Sequence, residues 1–207
     1  MKTVRPPLLL FAVPAVLITL LPATHGALLY DRSAILRGEW WRLWTGHWVH
    51  FSASHLFWNL LVALAAGTWL ESLQPGRLWR YLLVAAPMVS GMLLGWEPAM
   101  QTYGGLSGLA TGGVVLLALE QISGRDAGRH WWWGLLVLIA AKIAFEIGAP
   151  AALFSRFADA TLRPSAWAHA AGAATSVAFF LSRRAGTSLP LGGTVPVRVT
   201  TPEKSPR

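Results

Sequence analysis

Six long apolar runs constrain the fold of this chain more than any other feature of its sequence. An α-helix needs about 20 residues to cross the hydrocarbon core of a bilayer, and each run is close to that length. The runs do not alternate apolar and polar residues as the strands of a membrane barrel do, so they predict an all-α membrane protein, a six-transmembrane-helix bundle. The predicted spans are residues 7–23, 54–73, 78–96, 105–122, 131–148 and 166–182.

The composition of the 207-residue chain agrees with this class. Hydrophobic residues make up 54% of the chain and charged residues 13%, which excludes a soluble domain with one buried core. Residues 1–184 are interpreted as the membrane domain. Residues 185–207, rich in Thr, Pro, Gly and basic side chains, are interpreted as a disordered cytoplasmic tail. Cysteine is absent, so neither a disulfide framework nor a thiolate metal site is expected.

The net charge of +8 raises the question of nucleic-acid binding, but the basic residues are scattered at span ends and form no patch with interleaved aromatics. They are better interpreted as topology signals. Of the 17 Lys and Arg residues, 11 fall on the side of the N-terminus, five on the opposite side, and Lys142 within a span. The positive-inside rule therefore predicts that both termini are cytoplasmic. The scatter of the basic residues predicts that no nucleic acid is bound.

The first apolar run could be a signal peptide, but no convincing small-x-small cleavage site follows it and further spans do. It is predicted to be the first transmembrane helix, kinked at Pro14. The segment that follows, Thr24–Ala53, is too polar to cross the membrane and is rich in tryptophan. Tryptophan favours the headgroup zone, so this loop is expected to lie partly in the interface.

Ser107 stands among glycines at the start of the fourth run, in the stretch Tyr103-Gly104-Gly105-Leu106-Ser107-Gly108. A serine in an apolar span commonly bonds to a carbonyl one turn earlier or lets a neighbouring helix approach closely. Alternatively it is a nucleophile, with the glycines leaving room for a scissile carbonyl and freeing backbone N–H groups for an oxyanion. The choice depends on whether a base and further oxyanion donors lie at the same depth.

His55 and Asn59 supply candidate donors, because a spacing of four places both on one face of the second span near its outer end. The neighbouring histidines His47 and His50 raise the alternative of a metal site. No His-Glu-x-x-His pattern is present and no carboxylate has ligand spacing to them, so neither a metal nor another cofactor is predicted.

His169 is the candidate base, since it lies about one turn inside the outer end of the sixth span, at the depth of Ser107 and His55. The alternative is a histidine that makes a packing hydrogen bond. Lys142 and Glu146, four residues apart in the fifth span, are expected to offset each other's charge. Lys142 could instead be a general base, but Glu146 should keep it protonated.

Together these motifs resemble the rhomboid intramembrane serine proteases, in order and on the expected helices, over roughly residues 36–180. The shortness of the chain, its six predicted spans and its additional motifs look most like the rhombosortase branch of that family. The shared motifs are Glu39-x-Trp41-Arg42-Leu43-x-Thr45, His50 with His55-x-x-x-Asn59, Gly105-x-Ser107-Gly108 and Ala168-His169-x-x-Gly172; the branch motifs are Gly38-Glu39-Trp40-Trp41-Arg42, Thr45-Gly46-His47, Tyr103-x-Gly105-Leu106-Ser107-Gly108 and Lys142-x-x-x-Glu146.

The resemblance implies roles for individual residues. Ser107 would be the nucleophile and His169 its base, and an oxyanion site would be formed by His55, Asn59 and the Ser107 backbone N–H. Trp41 and Arg42 would belong to a membrane-dipping loop that orders the lipid around the gate. Gly105, Leu106, Gly108 and Gly172 would support the motif, with Lys142 and Glu146 as a structural or substrate-handling pair. One departure is Thr111, which stands where many rhomboids carry an aromatic that stacks on the histidine.

The function that follows is an intramembrane serine endopeptidase with a Ser–His dyad. The resemblance implies that its substrates are transmembrane segments of exported proteins with C-terminal Gly-Gly sorting tails. It also implies a place in the bacterial inner membrane, in contact with lipid, with the active site open to the periplasmic side. The alternative is an inactive rhomboid-like protein that binds or escorts transmembrane segments, but that would predict loss of the serine or histidine. A transporter would favour inverted repeats, and none is convincing.

Overall fold

The N-terminal segment is a helix that is distorted near Pro14 and then turns sharply. The computed structural model describes residues 5–124, 128–148 and 165–187. The segment contains α1 (Arg5–Pro7), a π-helical turn (Leu8–Ala12), α2 (Val13–Leu20), a 3₁₀ turn (Pro22–Thr24) and α3 (His25–Leu28). The π-helical turn ends two residues before Pro14, where the sequence predicts a kink, but the large bend of 99° lies later, between Leu20 and Pro22.

The loop between the N-terminal segment and the second predicted span is folded and not merely extended. It contains β1 (Tyr30–Asp31), α4 (Arg32–Leu36), α5 (Arg42–Thr45) and a 3₁₀ turn (Gly46–Trp48). The Asp31 carboxylate caps α4 by accepting the Ala34 N–H at 2.8 Å. β1 pairs antiparallel with β2 (Thr102–Tyr103), an addition to the all-α prediction that brings this loop beside the residues preceding Ser107.

Five long helices complete the bundle within the described residues. They are α6 (Ala53–Leu73), α7 (Arg77–Trp96), α8 (Ser107–Ser123), α9 (Arg129–Gly148) and α10 (Ala166–Thr187). The tight turn between α6 and α7 uses Gly76 at φ +76°, a left-handed conformation that favours glycine. Glu71 accepts the Gly76 and Leu78 N–H groups at 2.6 and 3.2 Å, so the start of α7 is capped by a side chain of α6.

Two tryptophans of the loop bond to helix carbonyls that prolines leave open. A proline has no N–H for the carbonyl four residues earlier. Pro14 therefore makes no such bond to Leu10, and Trp48 Nε1 donates to the Leu10 carbonyl at 2.8 Å. Pro87 likewise makes none to Leu83, and that carbonyl accepts Trp44 Nε1 at 3.3 Å. The loop is thus tied to both the N-terminal helix and α7.

α8 lies at the centre of the bundle and packs on α6, α7, α9 and α10, whereas α9 buries no residue fully. α8 and α10 run parallel and very close together, because glycines remove the side chains between them. A Cβ at Gly108 would lie 2.8 Å from the Ala168 carbonyl, and a Cβ at Gly172 would collide with the Gly108 carbonyl. One turn further along, Ser176 Oγ donates to the Gly112 carbonyl at 2.7 Å.

Within the described residues, three helices are long and apolar enough to cross a membrane, namely α6, α7 and α9, and the bent N-terminal pair would be a fourth. α8 is shorter, with 17 residues. The total of six spans therefore stays a prediction, although a helix occupies each predicted stretch. α10 continues to Thr187, three residues into the predicted tail. Residues 188–207 lie outside the described residues.

Candidate active site

Ser107 is the first residue of α8 and is partly exposed, between buried Leu106 and Gly108. The chain reaches it through a turn in which Gly105 has φ +120°. Two bonds hold this turn: Tyr103 Oη donates to the Gly105 carbonyl at 2.9 Å, and the Gly105 N–H donates to the Gly46 carbonyl at 3.3 Å. Being at the helix start, Ser107 has a backbone N–H with no acceptor in the helix itself.

Tyr103 belongs to the motif around Ser107, but sequence reasoning assigned its side chain no role. Its side chain is buried, and burial raises the pKa of Tyr103 to about 12. Hydrogen bonds with the Ser107 side chain and the Gly108 backbone act in the opposite direction on that pKa. The phenol therefore stays neutral and fixes the entry to α8 through polar contacts on both sides of Leu106.

His55 and Asn59 lie against the same turn. A Cβ at Gly105 would be 2.6 Å from His55 Cε1 and 3.3 Å from Asn59 Nδ2, so both side chains of α6 contact the Gly105 backbone. α6 is capped at this end by Ser52, whose Oγ accepts the His55 N–H at 3.1 Å. The structure thus brings the two predicted oxyanion donors to within two residues of Ser107.

Asn59 carries an unused donor. Its side chain is only 8% exposed, and Nδ2 has no hydrogen-bond partner within residues 5–124, 128–148 and 165–187. A buried amide N–H left unpaired costs free energy comparable to a lost hydrogen bond, so a hydrogen-bond acceptor is expected next to it during function. A developing negative charge beside Gly105 would be one.

His169 is the fourth residue of α10 and is 5% exposed. Ser165 fixes the start of this helix: its Oγ accepts the Ala168 N–H at 3.0 Å and donates to Glu97 Oε2 at 2.8 Å. Because α8 and α10 are parallel and touch at Gly108 and Ala168, Ser107 and His169 stand at the same end of one helix pair. His169 and His55 are close enough to interact electrostatically.

Lys142 and Glu146 form the expected ion pair, with Nζ and Oε1 2.7 Å apart. The same carboxylate also reaches α10, where Oε2 lies 2.8 Å from His169 Nδ1. Sequence reasoning missed this contact, because the Lys–Glu spacing already accounted for both charges and left no visible reason to seek a third partner. The site therefore contains the Glu146 carboxylate on α9, the His169 imidazole on α10 and the Ser107 hydroxyl at the start of α8.

Trp41 and Arg42 lie in the loop and brace it internally. Arg42 is buried, forms a 2.7 Å ion pair with Glu39, and donates to the carbonyls of Gly26 and Leu29 at 2.8 and 2.7 Å. Trp41 is half exposed and donates to the Ala27 carbonyl at 3.1 Å. Their predicted effect on surrounding lipid stays a prediction, whereas Arg42 clearly holds the loop in shape.

His47 and His50, in the loop before α6, are buried and neutral. Burial lowers the pKa of His47 to about 4, against the opposing effect of the Ala86 and Gly105 carbonyls. Burial and the nearby His55 lower the pKa of His50 to about 3. Across the described part of the chain, no group of three or more His, Cys, Asp or Glu side chains is arranged to hold a metal ion.

Comparison with known families gives one match. A model of the Rhomboid domain matches residues 37–184, which is 148 of the 207 residues. The matched range begins between α4 and α5, in the loop held by Arg42, and includes all of the site residues described above. A search of curated proteins finds no match to the chain.

Proposed function

The chain belongs to the rhomboid family of intramembrane proteases, and we propose that it is an active serine endopeptidase that cleaves transmembrane segments of exported proteins. The observation that carries the proposal is the placement of Ser107 and His169 at the same end of the tightly packed, parallel pair α8 and α10. His55 and Asn59 face the turn that precedes Ser107, which supports an oxyanion site there.

The reaction is acyl transfer. His169 takes the proton of Ser107 Oγ, the oxygen attacks the scissile carbonyl, and the tetrahedral oxyanion accepts hydrogen bonds from His55, Asn59 and the Ser107 N–H. Each such donor contributes about 3 kcal/mol to transition-state stabilisation. His169 then protonates the leaving amine. Water, activated by the same imidazole, hydrolyses the acyl-enzyme and restores Ser107.

The substrate class follows from the need to expose a carbonyl. A transmembrane helix must unwind locally before a peptide bond can reach Ser107, and glycine is among the residues that least favour the helix. A C-terminal Gly-Gly sorting tail, as in the rhombosortase branch, fits this requirement. The enzyme is a multi-pass membrane protein, and we place it in the bacterial inner membrane with both termini cytoplasmic and the site open to the periplasm.

The test is cleavage of a co-expressed membrane reporter that ends in Gly-Gly, an apolar helix and an Arg cluster. Ser107→Ala and His169→Ala are each expected to abolish cutting. Ser123→Ala is a matched control on the same helix, because among the described residues the Ser123 hydroxyl bonds back to the Leu119 carbonyl of its own helix and to no residue of the site. His130→Ala, at the exposed start of α9, is the matched histidine control.

Both controls should cut at the wild-type rate. Retained cutting by Ser107→Ala would overturn the protease mechanism. If the wild type binds the reporter but never cuts it, the inactive escort function replaces the proposal.

A further inference from the structure

The contact between Glu146 and His169 gives α9 a role that the Ser–His dyad does not include. We propose that Glu146 is a positioning residue that holds the His169 imidazole through Nδ1, so that the site works as a Ser107–His169–Glu146 triad. This inference rests on the proposed protease function and deepens it. Neither the Rhomboid-domain match nor the motif spacing assigns such a role to this carboxylate.

The geometry of the contact is that of a good charge-assisted hydrogen bond. Glu146 Oε2 and His169 Nδ1 are 2.8 Å apart, and the two side chains are only 9% and 7% exposed. Water therefore competes little for either group, and the imidazole ring is held from the side away from its Nε2 atom. An imidazole fixed at one nitrogen has a defined direction for the other, which is what a general base requires.

The same contact decides which ring nitrogen carries the proton. A carboxylate oxygen can only accept, so a 2.8 Å separation requires Nδ1 to donate. Neutral His169 then has its lone pair on Nε2, the form that can take a proton from a serine hydroxyl. When it does so, the Nδ1–H bond to Glu146 remains and the imidazolium charge lies beside a carboxylate.

Lys142 also lies near His169 Nδ1, but farther from it than Glu146 does. Its Nζ lies 3.3 Å from His169 Nδ1 and 2.7 Å from Glu146 Oε1. An ammonium donates only, so it cannot bond a protonated Nδ1, and its short contact is with the other carboxylate oxygen. Lys142 therefore orients Glu146, while one oxygen of the carboxylate stays committed to His169.

The exposure of the two side chains agrees with these separate roles of Lys142 and Glu146. Lys142 is one-third exposed, whereas Glu146 is nearly buried against α10. A simple ion pair would need only the 2.7 Å contact within α9, and the carboxylate could then lie anywhere along the helix surface. Its second oxygen is instead directed across the helix interface to the ring of the proposed base.

The experiment compares four purified, full-length variants in detergent or lipid: Ser107→Ala, Glu146→Gln, Lys142→Met, and the double variant Lys142→Met/Glu146→Gln. Cleavage kinetics are measured on the Gly-Gly reporter, with labelling of the serine by a fluorophosphonate probe as a substrate-independent readout. Thermal unfolding of each variant checks its fold. The double variant removes both charges, so it leaves no unpaired lysine to destabilise the bundle.

Glu146→Gln keeps the shape of the side chain but its amide can present a donor to Nδ1 and favour the wrong tautomer. We expect kcat to fall at least about 100-fold with KM changed less than about threefold, and probe labelling to slow in parallel. The double variant should fall equally, and Lys142→Met should lose less than about tenfold because the contact of Glu146 with His169 remains.

The two proposals fail in different ways. If wild type neither cuts nor reacts with the probe beyond the level of Ser107→Ala, the protease function is wrong and the triad falls with it. If wild type is active and the folded double variant keeps kcat within about threefold of wild type, the protease stands and Glu146 merely offsets Lys142. A rise in KM at constant kcat would also overturn the positioning role.

Discussion

The backbone of Gly105 lies directly against the His55 imidazole, so closely that a Cβ atom at residue 105 would be 2.6 Å from His55 Cε1. At φ +120° a side chain would also be strained by about 1–3 kcal/mol. We expect Gly105→Ala to displace His55 and to lower kcat for the reporter strongly. Gly113→Ala on α8 is the matched control, since its Cβ would meet only Ala66 Cβ, at 3.8 Å. Equal activity of the two variants would contradict the oxyanion role proposed for His55.

Asn59 tests the oxyanion site without disturbing an existing bond. Its Nδ2 has no partner among the described side chains and backbone, so Asn59→Ala should leave the thermal unfolding temperature nearly unchanged. If the amide serves the oxyanion, kcat should fall about 100- to 1,000-fold with little change in KM. Asn59→Asp, which keeps the size but replaces the donor with a negatively charged acceptor, should lower kcat at least as much. A variant with normal kcat would remove Asn59 from the mechanism.

Gly172 tests the helix pair itself. A Cβ there would collide with the Gly108 carbonyl, so Gly172→Ala must push α10 away from α8. Overpacking of this kind costs about 1–3 kcal/mol, and we expect a lower unfolding temperature together with lost cleavage. Gly91→Ala on α7 is the control, because within the described part of the chain no atom outside its own stretch of helix lies within 4 Å of the added Cβ. That change should be neutral or slightly stabilising.

Acid should weaken the loop through its two buried histidines. An unfolded histidine takes up a proton near pH 6.5, whereas the pKa of His47 is lowered to about 4 and that of His50 to about 3. The unfolded state therefore binds more protons below pH 6.5, so stability is complete above that pH and falls as the pH decreases toward 4. The loss is about 1.4 kcal/mol per pH unit for each histidine.

The measurement is the unfolding temperature in detergent between pH 7.5 and 5. His130→Ala, which changes an exposed histidine at the start of α9, should keep the wild-type pH dependence. A flat profile for wild type would show that His47 and His50 are not held neutral by burial.

Hydropathy and spacing predicted most of the helical architecture, because long apolar runs have one stable form in a bilayer. They also predicted the ion pair of Lys142 with Glu146, since i and i+4 lie on one helix face. The strand pair β1–β2 was missed, because each strand has only two residues and the pairing joins segments about 70 residues apart. The contact of Glu146 with His169 was missed for a different reason: the spacing to Lys142 already accounted for the carboxylate, and the rotation of α9 about its axis, which decides whether the second oxygen reaches α10, cannot be read from spacing.

The bonds from Trp48 to Leu10 and from Trp44 to Leu83 have main-chain acceptors. No substitution at residue 10 or 83 can delete such an acceptor, so only the indoles and the two prolines can alter these ties. The loop consequently holds the N-terminal helix and α7 at a fixed separation. Lateral separation of those helices must break an indole bond or unfold the loop. If the chain cleaves transmembrane segments, as proposed, we therefore expect a substrate helix to enter from another side of the bundle.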